Sequence, residues 1–484
     1  MDAHASAAAL LAAGRPSAAL DEMRAALERR PDDAVLLNNA ANALCQLWRF
    51  PDAAPVYQAL VARTAPPLRD RVISNYLTQL QYQPQVPDAA LTQAARDLGA
   101  RLGDADMPPR AACRGRPLRV GFVSADLCEH PVGFLLLPLL QQLDRQRIEP
   151  VLVSVGGRAD GVAAQLRDAA AWRDFAELDT ASLVAALRAE ALDVAIDLSG
   201  HTAGNRLPAF ARRVAPVQVS WLGYFATTGV PAMDAVLMDR WHAPEGAQAL
   251  FTEREVVRLP GCRFPYAPVP FAPQPAPPPV LRNGFVTFGS FNNTAKYNAG
   301  VIAAWADILR RLPQSRLVLK WLTFADDEVR ATIHRAFADA GIDPARVELR
   351  EASPHAEVLR QYADIDVALD PFPFTGGHTT CEALWMGVPV VTWPQVRPVS
   401  RQSLALIAGI GRDDWLRDWV ASDAAGYAGK AVRLAADTRR LVEIRSSLRP
   451  TMRGSSLMDV AQFARGWEQA IERLARAHGV LQNP

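Results

Sequence analysis

The run DPFPFTGGHTTCEALWMGVPVV, from Asp370 to Val391, sets out a strand end, a glycine-bearing loop, small hydroxyl residues and then a helix. That order suits an anion. Gly376 and Gly377 let the backbone approach a ligand closely. Thr379 and Thr380 fall at the helix N-terminus, where free amides and the helix dipole favour negative charge, and both hydroxyls can donate to phosphate oxygens. Glu382, near the start of that helix, suits a ribose hydroxyl; it suits a solvent-facing dipole partner equally well. A second run, FGSFNNTAKYN, closes a strand at Phe291 and opens into Asn292, Asn293 and Lys296. A departing diphosphate needs a positive charge, and without a metal a lysine is the simplest supplier. Asp364 and Asp366 have a DxD spacing that can hold a metal. Asp366 opens the strand DVALD, so the pair reads as a structural turn and no metal site is expected.

Two other loops carry histidines. His130 follows a strand–loop junction in SADLCEHPVGFLLLPL. Asp197, His201, Thr202 and Asn205 follow the buried run DVAID and fall at a strand's carboxyl edge. An imidazole ordinarily titrates near neutrality, so either histidine could serve as a general base, although a lone loop histidine is more often structural. The signatures GxxxxGK[ST], HExxH and GxSxG are missing from the sequence.

Such loops need strands to end on and helices to begin. From Leu118 onward, short apolar runs alternate with amphipathic stretches: LRVGFVSAD, PVLVSVGG, DVAIDLSG and VQVSWLGY, then FVTFGSFNN, SRLVLKWL, RVELRE, DVALDPFP and PVVTW. This alternation predicts two doubly wound parallel sheets, with ligands at the carboxyl ends of the strands. A proline-rich stretch from Tyr266 to Val280 reads as an extended linker between them, which makes the cleft between two lobes the default site. Upstream, GRPSAALDEMRAALERRPDD and RFPDAAPVYQALVARTAPP repeat at an offset close to the tetratricopeptide period of roughly 34 residues. Ala18 and Ala53 are the small residues expected where paired helices touch, and the segment before Cys113 is expected to dock on the first lobe. The resulting division is a tetratricopeptide-like helical segment (1–112), a first Rossmann-like lobe (113–265), a linker (266–283), a second, nucleotide-sugar-binding lobe (284–455) and a C-terminal helix (456–484).

Composition agrees with a large soluble chain. Its 484 residues are half hydrophobic with a net charge of +1, which gives no support for nucleic-acid binding. Five widely spaced cysteines without a CxxC pair argue against a disulfide framework or a zinc site, and fit a reducing cytoplasm. The N-terminal apolar run lacks a basic start and fits a repeat helix better than a signal peptide; no run is long enough to span a membrane.

RVGFVSAD…HPVG, DLSGHTAGNR, APVQVSWLGYFATTG, FGSFNNTAK and GGHTTCEALWMGVPVVT, in that order, resemble the O-GlcNAc transferase and SPINDLY family of protein glycosyltransferases, here with a bacterial, short-repeat layout. The resemblance implies the metal-independent two-lobe GT-B fold and inverting transfer of a sugar from a nucleotide donor to serine or threonine hydroxyls. It implies that Lys296 binds the donor diphosphate with Asn293 alongside. The loop Gly377–His378–Thr379–Thr380 would hold phosphate and Glu382 the ribose. His130 would line the sugar and acceptor side as a candidate base, with His201, Thr202 and Asn205 on that side too. The expected donor is UDP-GlcNAc and the expected partner a protein or peptide met through the repeat-like segment, with no further cofactor. TCEAL and Gln361, where the O-GlcNAc branch would carry an arginine, look closer to SPINDLY proteins, which are fucosyltransferases in plants. GDP-fucose is therefore the alternative donor. A repeat-based scaffold with a degenerate catalytic part, or an epimerase of GT-B shape, are the competing readings. The nucleobase is expected near Glu351 to Tyr362, with His355 a possible contributor.

Overall fold

Seven apolar runs of the first α/β half form one parallel sheet. They are β1 (Leu118–Ser124), β2 (Ile148–Ser154), β3 (Ala171–Asp174), β4 (Val194–Asp197), β5 (Val217–Ser220), β6 (Ala235–Asp239) and β7 (Glu255–Leu259), in the order β3-β2-β1-β4-β5-β6-β7. All residues of β4, β5 and β6 are buried, as befits strands covered on both faces. The order reverses between β1 and β4, and the loops bearing His130 and His201 leave these two strands. The helix Val460–Ala477 returns to this lobe. Its buried stripe Phe463, Trp467, Ile471 and Leu474 repeats at helical spacing. Trp467 stacks on Phe122 of β1 at 5.6 Å, and Arg147 pairs with Glu468 at 2.6 Å and Glu472 at 2.8 Å.

The second lobe repeats the plan with five parallel strands: β8 (Thr287–Ser290), β9 (Arg316–Lys320), β10 (Val347–Arg350), β11 (Val367–Leu369) and β12 (Val390–Val391), ordered β10-β9-β8-β11-β12. Its switch point lies between β8 and β11. The lysine loop leaves β8 and the glycine loop leaves β11, so two motifs some eighty residues apart emerge side by side.

The computed structural model describes residues 3–104 and 116–482, which divide into two compact units: 3–85 with 270–453, and 86–269 with 454–482. Cys113 and the boundary expected at 112/113 lie outside the described residues. The first unit opens with α1 (Ala3–Ala12), α2 (Pro16–Arg29), α3 (Ala34–Gln46), α4 (Phe50–Arg63) and α5 (Leu68–Gln81). Pro16 and Pro51 stand in the first turns of α2 and α4, where a missing N–H costs nothing. Ala53 is fully enclosed as expected, but Ala19 rather than Ala18 is its enclosed counterpart in α2.

These five helices dock on the second lobe, which corrects the expectation that they would meet the first. Ser17 donates to Asp326 through both its amide (2.8 Å) and its hydroxyl (2.7 Å). The Trp48 indole donates to the Thr294 carbonyl at 2.9 Å, and Arg397 donates to the Gln81 and Gln83 carbonyls. At Gly14 (φ +72°) a Cβ would stand 2.3 Å from the Leu322 carbonyl oxygen. The next helix, α6 (Asp88–Gly99), goes to the first lobe, where a Cβ on Gly99 would stand 2.4 Å from the Gly229 backbone. These contacts join residues far apart in the chain, which a helical repeat pattern does not reveal.

Candidate functional site

In the second lobe, β8 runs into a short 3₁₀ turn, Thr294–Lys296, that Asn293 caps by accepting the Ala295 amide at 3.0 Å. The turn presents Lys296, half-buried, with Nζ donating to Asn292 Oδ1 at 3.0 Å and to the Thr375 carbonyl at 2.9 Å. The ammonium also lies 5.0 Å from the centre of the Phe374 ring. Burial lowers the pKa of Lys296 to about 8, against the pull of Asp370. An anionic ligand would raise it again.

Asp370, directly after β11, is buried and accepts the Gly376 amide at 2.6 Å and the Thr392 hydroxyl at 2.7 Å. Burial raises its pKa to about 6, with its hydrogen bonds and Lys296 opposing. Gly376 must be glycine: a Cβ would stand 2.3 Å from Thr380 Oγ1. The helix His378–Trp385 then begins, with Gly377 at its N-cap. Thr379 Oγ1 donates to Asn292 Oδ1 at 3.3 Å, tying the helix start to the lysine loop. Thr380 behaves differently from expectation. Its hydroxyl bonds Ser403 Oγ at 2.8 Å and its amide donates to the Gly377 carbonyl, so it faces the lobe interior rather than a phosphate. The amides of His378 and Thr379, in the helix's first turn, lack an i−4 partner within the helix.

Glu382 is buried, not solvent-facing, which corrects the dipole-partner reading. His355 Nε2 and His378 Nδ1 converge on its Oε1 atom, at 2.5 and 3.3 Å. Burial alone would raise this carboxyl, but the two imidazoles prevail and hold it at about 2. His355 opens the helix His355–Gln361 after β10, and Phe271 meets its ring edge-on at 5.4 Å. Tyr362 donates to the Thr379 carbonyl at 3.1 Å, while the Gln361 amide turns back to Glu357 at 3.3 Å. Asp364 pairs with Arg350 at 2.9 Å and Arg282 at 3.5 Å. Asp366 instead accepts the Thr287 and Val280 amides at 2.8 and 3.0 Å. The DxD carboxylates are thus engaged separately, one by arginines and one by backbone.

The first lobe is arranged otherwise. His130 caps the helix Pro131–Gln142, its Nδ1 accepting the Val132 amide at 3.3 Å with Asp126 at 3.8 Å. With Nδ1 accepting, the neutral ring carries its proton on Nε2, which suits it to donate to a ligand rather than to take a proton. His201 is buried, with Nε2 2.7 Å from the Thr228 carbonyl and its ring edge-on to Tyr224. Burial lowers its pKa to about 4. It is a neutral histidine donating to a carbonyl, which corrects the general-base reading at that position. Thr202 Oγ1 bonds the Ser199 carbonyl at 2.8 Å. Asn205 accepts the Leu207 amide and donates to the Thr202 carbonyl at 2.9 Å, so both shape their own loop. Asp197 holds the Ser199 and Gly200 amides in the same way. Sequence reasoning missed Asp370, Phe374 and Thr375 as neighbours of Lys296. The one available signal was the position of Asp370 at the end of a buried strand.

Two Rossmann-like lobes, each with its polar loops at the switch point and the second with a lysine beside a helix N-terminus, define the GT-B glycosyltransferase class. Glycosyl transferase family 41 matches residues 104–260 and 280–466, and the chain belongs to that family. It is 35% identical over 419 residues to a probable UDP-N-acetylglucosamine–peptide N-acetylglucosaminyltransferase, SPINDLY, of Solanum lycopersicum, covering 84% of this chain and 44% of that one. It is 27% identical over 396 residues to a probable enzyme of the same description, SEC, of Arabidopsis thaliana, covering 78% of this chain and 39% of that one. The chain therefore spans less than half the length of the curated relatives it matches. An O-GlcNAc transferase structure from Thermobaculum terrenum superposes with a TM-score of 0.89 at 33% identity, covering 96% of this chain and 88% of that one.

Proposed function

We propose that this chain moves GlcNAc from UDP-GlcNAc to serine or threonine hydroxyls of proteins, with inversion and without a metal. One observation carries the reading: Lys296 and the first turn of the helix His378–Trp385 emerge together at a switch point, and Lys296 is held there by Asn292 and Thr375. In the step itself the acceptor oxygen bonds to the anomeric carbon, and the bond from that carbon to the diphosphate oxygen breaks. The electron pair leaves with UDP and the hydroxyl proton passes to a base or to water. The developing charge on the diphosphate falls on the Lys296 ammonium and the amides of His378 and Thr379. Asn293 shapes that turn, and we assign Glu382, held by His355 and His378, to a ribose hydroxyl. In the first lobe His130 is assigned to the sugar and acceptor side as a donor.

GDP-fucose is the second reading, resting on the SPINDLY-like TCEAL run and Gln361. It keeps the phosphate site and changes the base and the sugar. No described helix is long and apolar enough to cross a membrane, and the four described cysteines are buried and not in disulfides, which suits a reducing compartment. Calorimetry with UDP and GDP, followed by mass spectrometry of a serine/threonine peptide incubated with each nucleotide sugar, tests the reading. Addition of one N-acetylhexosamine is expected; tighter GDP binding by tenfold or more overturns the donor assignment.

A further inference from the structure

The helical segment reaches the lysine loop from behind, along two routes. The first is aromatic. Tyr82, just past α5, stacks on Phe374 with ring centres 4.9 Å apart and planes 22° apart, and the Lys296 ammonium rests 5.0 Å from the centre of that same Phe374 ring. The second runs through the backbone. Arg397 is buried and donates to the Gln81 and Gln83 carbonyls on either side of Tyr82. Two residues on, the Val399 carbonyl accepts both the amide (3.1 Å) and the hydroxyl (3.0 Å) of Thr375. Thr375 in turn offers its own carbonyl to Lys296 at 2.9 Å. The end of α5 and the acceptor of the lysine are thus fastened to one short loop.

Trp48 adds a third contact with a cost attached. It lies between α3 and α4 at φ +63°, a left-handed conformation that a bulky side chain rarely adopts. Strain of this kind persists only where surrounding contacts fix it, and it collects at functional sites. What fixes Trp48 is its indole bond to the Thr294 carbonyl at 2.9 Å and an edge contact with Tyr297 at 6.3 Å. Thr294 and Tyr297 bracket the turn that presents Lys296.

We propose that Tyr82 and Trp48 are positioning residues for Lys296, which makes the N-terminal helical segment a working part of the diphosphate site. The inference rests on the reading of Lys296 as the diphosphate-binding group. It adds a donor-side role to the expectation that a protein or peptide is met through the repeat-like segment. Tyr82 fixes the ring that the ammonium rests on, and Trp48 fixes the turn that carries it. Tyr82 itself needs no contact with ligand.

The test uses the full chain with Tyr82→Leu, Tyr82→Phe and Trp48→Gly, each checked for a cooperative melt. UDP and GDP affinities are measured by calorimetry across the titration of Lys296, so that preference for GDP would overturn the donor assignment while the variants still decide this point. Tyr82→Leu is expected to weaken binding of the preferred diphosphate roughly threefold to tenfold, as loss of an aromatic stack implies. It should also move the alkaline limb upward, because water then reaches an ammonium whose pKa burial had lowered. Tyr82→Phe keeps the ring and should behave as wild type. Trp48→Gly relieves the left-handed strain yet should weaken diphosphate binding in the same direction. A folded Tyr82→Leu with wild-type affinity and an unmoved limb overturns the proposal, as does a Tyr82→Phe as weak as Tyr82→Leu.

Discussion

The two lobes present the same kind of edge and furnish it differently. At the first switch point, polar side chains spend themselves on their own backbone. Asp197 takes the Ser199 and Gly200 amides, Thr202 the Ser199 carbonyl, Asn205 the Thr202 carbonyl, and His201 the Thr228 carbonyl. At the second, charged groups from separate segments hold one another. Lys296 is set by Asn292 and Thr375 beside Asp370, and Glu382 is held by His355 and His378. Backbone anchoring gives a loop its shape. Buried charges with partners from elsewhere in the chain give it perturbed pKa values and an oriented field, which is what chemistry on a diphosphate requires. A buried carboxylate with its pKa raised to about 6 is common to both strand edges, Asp197 in the first lobe and Asp370 in the second, and a half-buried lysine beside a helix N-terminus belongs to the second.

The largest effect that tests this contrast is removal of the lysine. Lys296→Ala should lower kcat/KM for the donor by roughly 10²–10³, as loss of one preorganised group facing a developing anion does. Near-wild-type turnover would end the contrast between the lobes. The same lysine sets a pH dependence. Burial lowers its pKa to about 8, so the free protein loses the ammonium as pH rises through that value, and kcat/KM should fall there. The kcat profile should bend at higher pH, because the bound diphosphate raises the lysine's pKa. Lys296→Arg should carry the kcat/KM limb out of the measurable range.

A smaller effect is expected at Glu382. Its pKa of about 2 lies below the ordinary glutamate value, so its two histidine bonds contribute stability above the unfolded pKa of ~4.3. That contribution is lost as pH falls through the folded value. Glu382→Gln should cost roughly 1.5–3 kcal/mol at neutral pH, the range for a hydrogen bond to a charged group. It should also weaken diphosphate binding less than Lys296→Ala does. Melting temperatures of the two proteins should converge on acidification. Curves that stay parallel down to the acid limit would mean that the histidine bonds do not hold the carboxylate.

Much of the second lobe's site was legible in the sequence because its motifs are local. FGSFNNTAK and TGGHTT each bring a strand end, a turn and a charged or hydroxyl residue within a few positions. What was not legible depends on contacts far along the chain. The inward turn of Thr380 is decided by Ser403, and the capture of His355 by Glu382 joins residues twenty-seven apart. His201 resembled a loop base because the carbonyl that claims it belongs to Thr228. Likewise nothing in the alanine-rich repeat spelled out Asp326, Thr294 and Arg397 as its docking partners. Strand and helix order follows from periodicity, whereas the direction of a polar side chain follows from whichever distant group remains to be satisfied.

His201 supplies the converse test. His201→Phe keeps the ring volume and leaves the Thr228 carbonyl without its donor, at a cost of about 1–3 kcal/mol in stability. The shape of the kcat/KM profile should not change, since a histidine held near pKa 4 and bonded to a carbonyl takes no part in proton transfer around neutrality. Disappearance of an acid limb in this variant would give His201 a part in proton transfer after all.

The smallest effect expected is none, on treatment with a chelator, and its value lies in what a change would mean. If Lys296 and the helix amides carry the diphosphate charge, no divalent ion is needed for that task. The one DxD spacing noted in the second lobe is already committed. Asp364 lies between Arg350 and Arg282, and Asp366 holds the Thr287 and Val280 amides at the entry to β8 and β11. For Asp366 to turn onto a metal, the Thr287 and Val280 amides would lose their acceptor, at the cost of unsatisfied backbone groups, and Asp364 would have to leave its two arginines. EDTA should therefore leave transfer rates within error of the untreated protein, measured with the same peptide and donor. Loss of activity restored by Mn²⁺ would shift the charge-bearing role from Lys296 to those carboxylates, and Asp364→Asn should then abolish the rescue while Lys296→Ala would leave it intact.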